Sequence, residues 1–111
     1  MHELGLAKDV LQKILDCADE LGFSKIRSAD VGIGETLISH KEEFHELFNQ
    51  ISKGTPADGV SLKVTIIPLT ASCNECGNEF KAKEMKVGCP KCQSNDLKIV
   101  AGKEILIKEL K

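Results

Sequence analysis

The chain has 111 residues, the length of one domain or of one domain carrying a small insert. Hydrophobic residues make up 41% and charged residues 29%, which excludes a disordered or collagen-like polypeptide. Fifteen basic residues stand against 17 acidic ones, with no Trp or Tyr and four Phe. That balance lacks the basic, aromatic-studded stripe of a nucleic-acid binder.

Leu4 to Leu21 carries Ala7, Val10, Leu11, Ile14, Ala18 and Leu21 at helical spacing. Asp9, Lys13, Asp16 and Glu20 take the opposite face, and Gly22 is placed to stop the helix. Cys17 falls on the apolar stripe and is expected to be a buried small hydrophobe. Ile26 to Ile33 alternates, with Ala29, Val31 and Ile33 on one side, and reads as a strand. Gly32-Ile33-Gly34 has neither the third glycine nor the following helix of a phosphate loop. Ser39-His40-Lys41-Glu42 fits a capping box, in which side chains satisfy orphan backbone donors. Phe44, Leu47, Phe48 and Ile51 continue as a second apolar stripe, and Gly54 to Pro56 ends that helix. Two of the four Phe therefore belong to a core and not to a stacking surface.

Val60 to Leu69 alternates again as a strand, and strand–helix–strand order favours a right-handed crossover with parallel strands. Strand character returns at Leu97 to Val100, turns at Gly102 and runs on from Lys103 to Leu110. The expected architecture is α+β: two helices on one face of a small three-stranded mixed sheet, with an inserted four-cysteine zinc-ribbon module. The expected division is residues 1–70 plus 95–111 for an α/β domain and 71–94 for the zinc ribbon. Apolar runs such as Val64 to Leu69 fall far short of the ~18 residues of a membrane span. The start at Met1-His2-Glu3 lacks the basic and apolar regions of a signal peptide, so a cytoplasmic protein with no membrane partner is expected.

Cysteines in a reducing compartment read as metal ligands before disulfides. Cys73-Asn-Glu-Cys76 and Cys89-Pro-Lys-Cys92 are two CxxC pairs, and each turn holds two thiolates near enough to form two corners of a tetrahedron. Four thiolates leave no open position, so Zn(2+) at Cys73, Cys76, Cys89 and Cys92 is structural and not hydrolytic. Lys81, Lys83, Lys86 and Lys91 offset the negative tetrathiolate. Phe80, Met85 and Val87 are the only large apolar residues between Gly77 and Gly88, too few to fold alone. Metal binding worth about 10–16 kcal/mol supplies the missing stability. A thioredoxin-type redox pair needs a CxxC opening a helix inside a βαβ unit, which is a different pattern.

His2 beside a free α-amine has two readings from the residues alone: a frayed, solvent-exposed terminus, the commoner case, or a metal chelate. The Met1 amine, the deprotonated His2 amide and the His2 imidazole can close adjoining chelate rings around a square-planar ion such as Ni(II) or Cu(II). The Glu3 amide, another side chain or water completes the square. A bulky residue 2 favours retention of Met1.

Taken in order, Met1-His2-Glu3 before an amphipathic helix, the Val31-Gly-Ile-Gly-Glu35 strand end, the Gly54-Thr55 helix stop and the Cys73/Cys76–Cys89/Cys92 ribbon resemble the HypA/HybF family. The resemblance covers essentially the whole chain. It implies a transient nickel ion bound by His2 with Met1 and Glu3, structural zinc on the four cysteines, and no catalysis. It also implies a HypB-like GTPase partner and the [NiFe]-hydrogenase large-subunit precursor as recipient, with urease a second destination in some members. Gln93 departs from the pattern, in which Gly usually follows the second CxxC. His40, at the start of the second helix, is expected to be an exposed first-turn residue, with an approach to the nickel the lesser alternative. His45 lies about 140° round the helix from it and cannot share a site. The alternative from another class is a zinc-ribbon adaptor that binds a protein or nucleic acid and carries no nickel.

Overall fold

The computed structural model describes residues 3–85 and 87–111. Met1, His2 and Lys86, and the nickel and charge-offsetting roles expected of them, lie outside the described residues.

Helix α1 spans Glu3–Leu21 and buries Leu6, Ala7, Val10, Leu11, Ile14 and Ala18 along one stripe. It ends in a Schellman pattern: Phe23 N–H donates to the Ala18 carbonyl at 2.8 Å, with Gly22 at φ 79°. The stripe stops one turn earlier than its periodicity suggests. Leu21 is 59% exposed and Cys17 only half-buried.

Strand β1 is Ser28–Gly34, helix α2 is Lys41–Ile51 and strand β2 is Ser61–Ile67. As the crossover rule requires, β1 and β2 are parallel, with Val31 beside Val64 and Ile33 beside Ile66. The last strand, β6 (Ile105–Leu110), runs antiparallel on the other side of β1, giving the order β2-β1-β6. Ala29, Val31, Ile33 and Val64 join the buried stripes of both helices in one core. Phe44 and Phe48 are fully buried in it, their rings stacked 6.1 Å apart.

The expected capping box is not formed. Lys41 opens α2, His40 is its N-cap, and no side chain caps it. The Ser39 N–H donates instead to Glu3 Oε1 at 3.4 Å, so the loop before α2 is tied to the first residue of α1. A long-range acceptor has replaced the local one.

A second three-stranded sheet carries the cysteines. Strand β3 (Thr70–Cys73) lies between β4 (Glu79–Lys81) and β5 (Leu97–Ala101), both antiparallel to it. One sheet was expected to hold all the long strands, but Leu97–Ala101 pairs with β3 and not with the first sheet. Cysteine spacing marks the ligands; it does not reveal which flanking strands carry them. The second core is small: Ala71, Cys73, Phe80 and Cys89, with Leu97 against them. Met85 and Val87 stay exposed, at 43% and 73%. No helix among the described residues is long and apolar enough to cross a membrane.

The two sheets meet where β2 leads into β3 and β5 leads into β6. Glu35 accepts the Leu69 N–H on its carboxylate, and Thr36 Oγ1 donates to the Gly102 carbonyl at 2.8 Å. Glu104 Oε1 accepts the Gly102 N–H at 2.7 Å. At this crossing the main chains nearly touch. A Cβ on Gly102 would run into Leu69 Cα and stand 2.7 Å from its nitrogen.

Candidate metal centre

The two CxxC pairs are turns at the end of the second sheet. The first turn reverses the chain between β3 and β4: Gly77 N–H donates to the Cys73 carbonyl, and Cys73 N–H to the Asn78 carbonyl, both at 2.9 Å. The second turn repeats the pattern, with Gln93 N–H on the Cys89 carbonyl at 2.7 Å and Cys89 N–H on the Ser94 carbonyl at 2.8 Å. Each turn needs a left-handed residue just after its second cysteine. Gly77 supplies it at φ 76° and Gln93 at φ 64°. Asn74 ties the first turn to the residue just before β5 by donating its backbone N–H to the Asp96 carbonyl and its Nδ2 to Asp96 Oδ1, both at 2.9 Å.

These turns bring Cys73, Cys76, Cys89 and Cys92 together, with all four sulfurs within 4.8 Å of one another. Cys73 and Cys92 Sγ are 3.5 Å apart, and Cys76 and Cys89 Sγ 3.7 Å. Four sulfurs about 2.3 Å from a tetrahedral ion are about 3.8 Å from each other, so the cradle has the dimensions that zinc needs. Cys73 and Cys89 are buried, whereas Cys76 and Cys92 face solvent and leave an entry side.

The electrostatics explain why the cradle needs a cation. Burial pushes the Cys89 thiol up. The backbone N–H groups of Cys92 and Lys91 and the neighbouring thiols outweigh it and bring it down to about 6. The Lys91 N–H lies 3.4 Å from Cys89 Sγ, and Asn78 Nδ2 lies 3.9 Å away. Hydrogen bonding from the Cys76 backbone lowers Cys73 as well. The Ser94 backbone N–H favours the Cys92 thiolate. Even so, the crowd of sulfur at Cys73, Cys76 and Cys89, together with burial, pushes Cys92 up to about 12. Four adjacent thiolates repel one another, and a divalent cation removes that repulsion while displacing the remaining protons.

Asn78 was not singled out from the sequence, yet it faces Cys89; its position just past the CxxC and its glycine was the available signal. Lys81, Lys83 and Lys91 are exposed around the module. Glu3 is at the start of α1, 5% exposed; Oε1 meets Ser39, and Oε2 has no partner among the described residues. His40 is exposed at the α2 N-cap, one residue from the Ser39–Glu3 contact. His45 is half-buried against the Phe44 ring, and desolvation, reinforced by the Lys41 charge, lowers its pKa.

An α+β framework with a preassembled four-thiolate cradle defines a metal-handling protein. The family described as hydrogenase/urease nickel incorporation, metallochaperone HypA, matches residues 1–111, and the chain belongs to it. It is 36% identical over 115 residues to the hydrogenase maturation factor HypA of Methanococcus maripaludis, covering 96% of this chain and 91% of that one. Identity to the HypA of Acidithiobacillus ferrooxidans is 30% over 110 residues, covering 99% and 97%. The fold matches the solution structure of the Ni metallochaperone HypA from Helicobacter pylori with a TM-score of 0.74 at 24% identity, covering 100% of this chain and 97% of that one. A metallochaperone moves an ion and makes or breaks no substrate bond. The protein is not an enzyme.

Proposed function

We propose that this chain binds Ni(II) at its N-terminus and delivers it during maturation of [NiFe]-hydrogenase, while Cys73, Cys76, Cys89 and Cys92 hold a structural Zn(2+). The observation that carries the reading is membership, over residues 1–111, of a family described by nickel incorporation. The nickel ligands are the Met1 amine and the His2 amide and imidazole, helped by Glu3. The burial of Glu3 and its tie to Ser39 support a fixed anchor for that segment. The partners are a HypB-like GTPase and the hydrogenase large-subunit precursor, met in the cytoplasm.

Zinc is preferred at the cysteines because a closed tetrahedral sulfur set suits it and gives it no open position for hydrolysis. Nickel chelation at the N-terminus displaces an amide proton, so acid or a competing ligand releases the cargo. Nickel calorimetry on the native chain, on His2→Ala and on a chain extended ahead of Met1 tests the reading. Tight binding by the native chain alone is expected. Equal binding by all three would place nickel elsewhere.

A further inference from the structure

The two cysteine turns follow one backbone path, yet they differ in the residue two places past the second cysteine. Asn78 holds that place in the first turn and Ser94 in the second. Each gives its carbonyl to the N–H of the cysteine that opens its turn, Asn78 to Cys73 at 2.9 Å and Ser94 to Cys89 at 2.8 Å. Ser94 Oγ then stays local and accepts the Asp96 N–H at 3.1 Å. The Asn78 side chain instead crosses to the other turn, where Nδ2 lies 3.9 Å from Cys89 Sγ.

That crossing is unlike the other contacts to the sulfurs. Cys73 receives the backbone N–H groups of Glu75 and Cys76, and Cys92 that of Ser94. Cys89 receives those of Lys91 and Cys92. All of these donors lie in or beside the turn of the sulfur they serve. Among the described residues, Asn78 is the one side chain other than the cysteines that reaches a sulfur of the opposite turn. Its target is also the sulfur in greatest need of a donor. Cys89 is fully buried, so its charge must be met by protein groups and not by water. Residues 87–96 belong to no helix or strand, so no ladder holds the second turn against the first.

We propose that Asn78 is a positioning residue for the metal: its side-chain amide donates to the Cys89 thiolate, braces one turn against the other and slows loss of the ion. The inference rests on the zinc reading above. An amide N–H on a thiolate is a charge-assisted hydrogen bond, stronger than one to a neutral thiol. Partners of this outer kind orient the ligand, and losing one costs roughly 10–100-fold in metal affinity. A contact of 3.9 Å is long, which places Asn78 at the lower end of that range.

The test uses the full chain, loaded with zinc or with the NMR-active cadmium isotope. In the cadmium form a through-bond correlation is expected between the metal nucleus and an Asn78 side-chain amide proton. Scalar coupling crosses an N–H···S–Cd bridge, whereas mere proximity gives none. The Lys91 amide, 3.4 Å from the same sulfur, serves as the internal reference. Asn78→Ala should speed zinc transfer to a competing chelator about tenfold. Asn78→Leu, neutral and close to the same shape, should do the same, because it lacks the donor; a role in packing alone would leave it near native. Glu79→Gln on β4 should stay within about twofold of native. Far-UV circular dichroism and zinc content verify that the variants fold, and the cadmium measurement needs no variant. A cadmium-loaded chain without the Asn78 correlation, or Ala and Leu variants that release zinc at the native rate, would overturn this inference and leave the zinc reading standing. A native chain that takes up no ion on its four sulfurs would overturn both.

Discussion

Gln93 holds at φ 64° the same place in the second cysteine turn that Gly77 holds at φ 76° in the first. The two turns share one backbone path, but only the first uses the residue that adopts it without a Cβ penalty. An L-residue in this region carries roughly 1–2 kcal/mol of strain, partly offset because glycine loses more freedom on folding. Gln93→Gly should therefore stabilise the module by about 0.5–1 kcal/mol and slow zinc loss to a chelator. Gln93→Val should do the reverse. Faster zinc loss from the glycine variant would mean that the Gln93 side chain contributes something its backbone angle does not reveal.

Zinc binding should release protons, and its affinity should rise with pH. With Cys89 down at about 6 and Cys92 up at about 12, the metal-free cradle at neutral pH holds one thiolate and one firmly protonated thiol among these two. Loading the ion must expel the Cys92 proton. The linkage has opposite signs at the two sites. Stability from the depressed Cys89 is full above the ordinary thiol value of 9.0 and is lost as pH falls through about 6. The raised Cys92 favours the folded metal-free form below 9.0 and loses that effect as pH rises through about 12. Calorimetry at pH 7.5 in buffers of different ionisation enthalpy should report release of at least one proton per zinc. A value near zero would refute this charge distribution.

Gly102 and Gly54 offer a paired test of the seam between the sheets. Both have positive φ, 105° and 78°, but a Cβ on Gly54 meets nothing within 4 Å, whereas one on Gly102 strikes the Leu69 backbone. Gly54→Ala should cost about 1 kcal/mol, the conformational term alone. Gly102→Ala adds a backbone collision and should cost about 3 kcal/mol or more. Chemical denaturation in the presence of zinc measures both. Similar losses would show that the crossing relaxes freely.

Zinc removal should loosen the second sheet and spare the first. The small core around Ala71, Phe80 and Leu97 includes two of the proposed ligands, while the larger core is built from α1, α2 and the first sheet. On chelation, amide protons of residues 70–101 should exchange faster while those of Val31, Phe44 and Phe48 stay protected. Complete loss of the far-UV helical signal would contradict two separate cores.

Periodicity sufficed wherever a residue's environment follows from its near neighbours. The α1 stripe from Leu6 to Ala18, the alternation that buries Val31 and Ile33, and the parallel partnership of β1 with β2 were all legible in this way. So was the gathering of the four cysteines, because CxxC spacing fixes two sulfurs per turn whatever surrounds it. The features that escaped depend on distant chain. Leu97–Ala101 has strand character in any context, but only the folded chain shows that β3 claims it. Ser39 has the chemistry of an N-cap, yet its backbone is committed to Glu3, 36 residues away. Leu21 and Cys17 lie on the helical stripe without being buried. The placement of His2 and Met1 lies outside the described residues, so the nickel site rests on sequence and kinship.

The crossing at Leu69 and Gly102 has a mechanical consequence. Because main chain abuts main chain there, with Glu35, Thr36 and Glu104 each holding a peptide group, the seam has no side-chain cushion to yield under load. A torque applied to the cysteine tip is carried into the helical half as through a stiff axle and is not absorbed at a swivel.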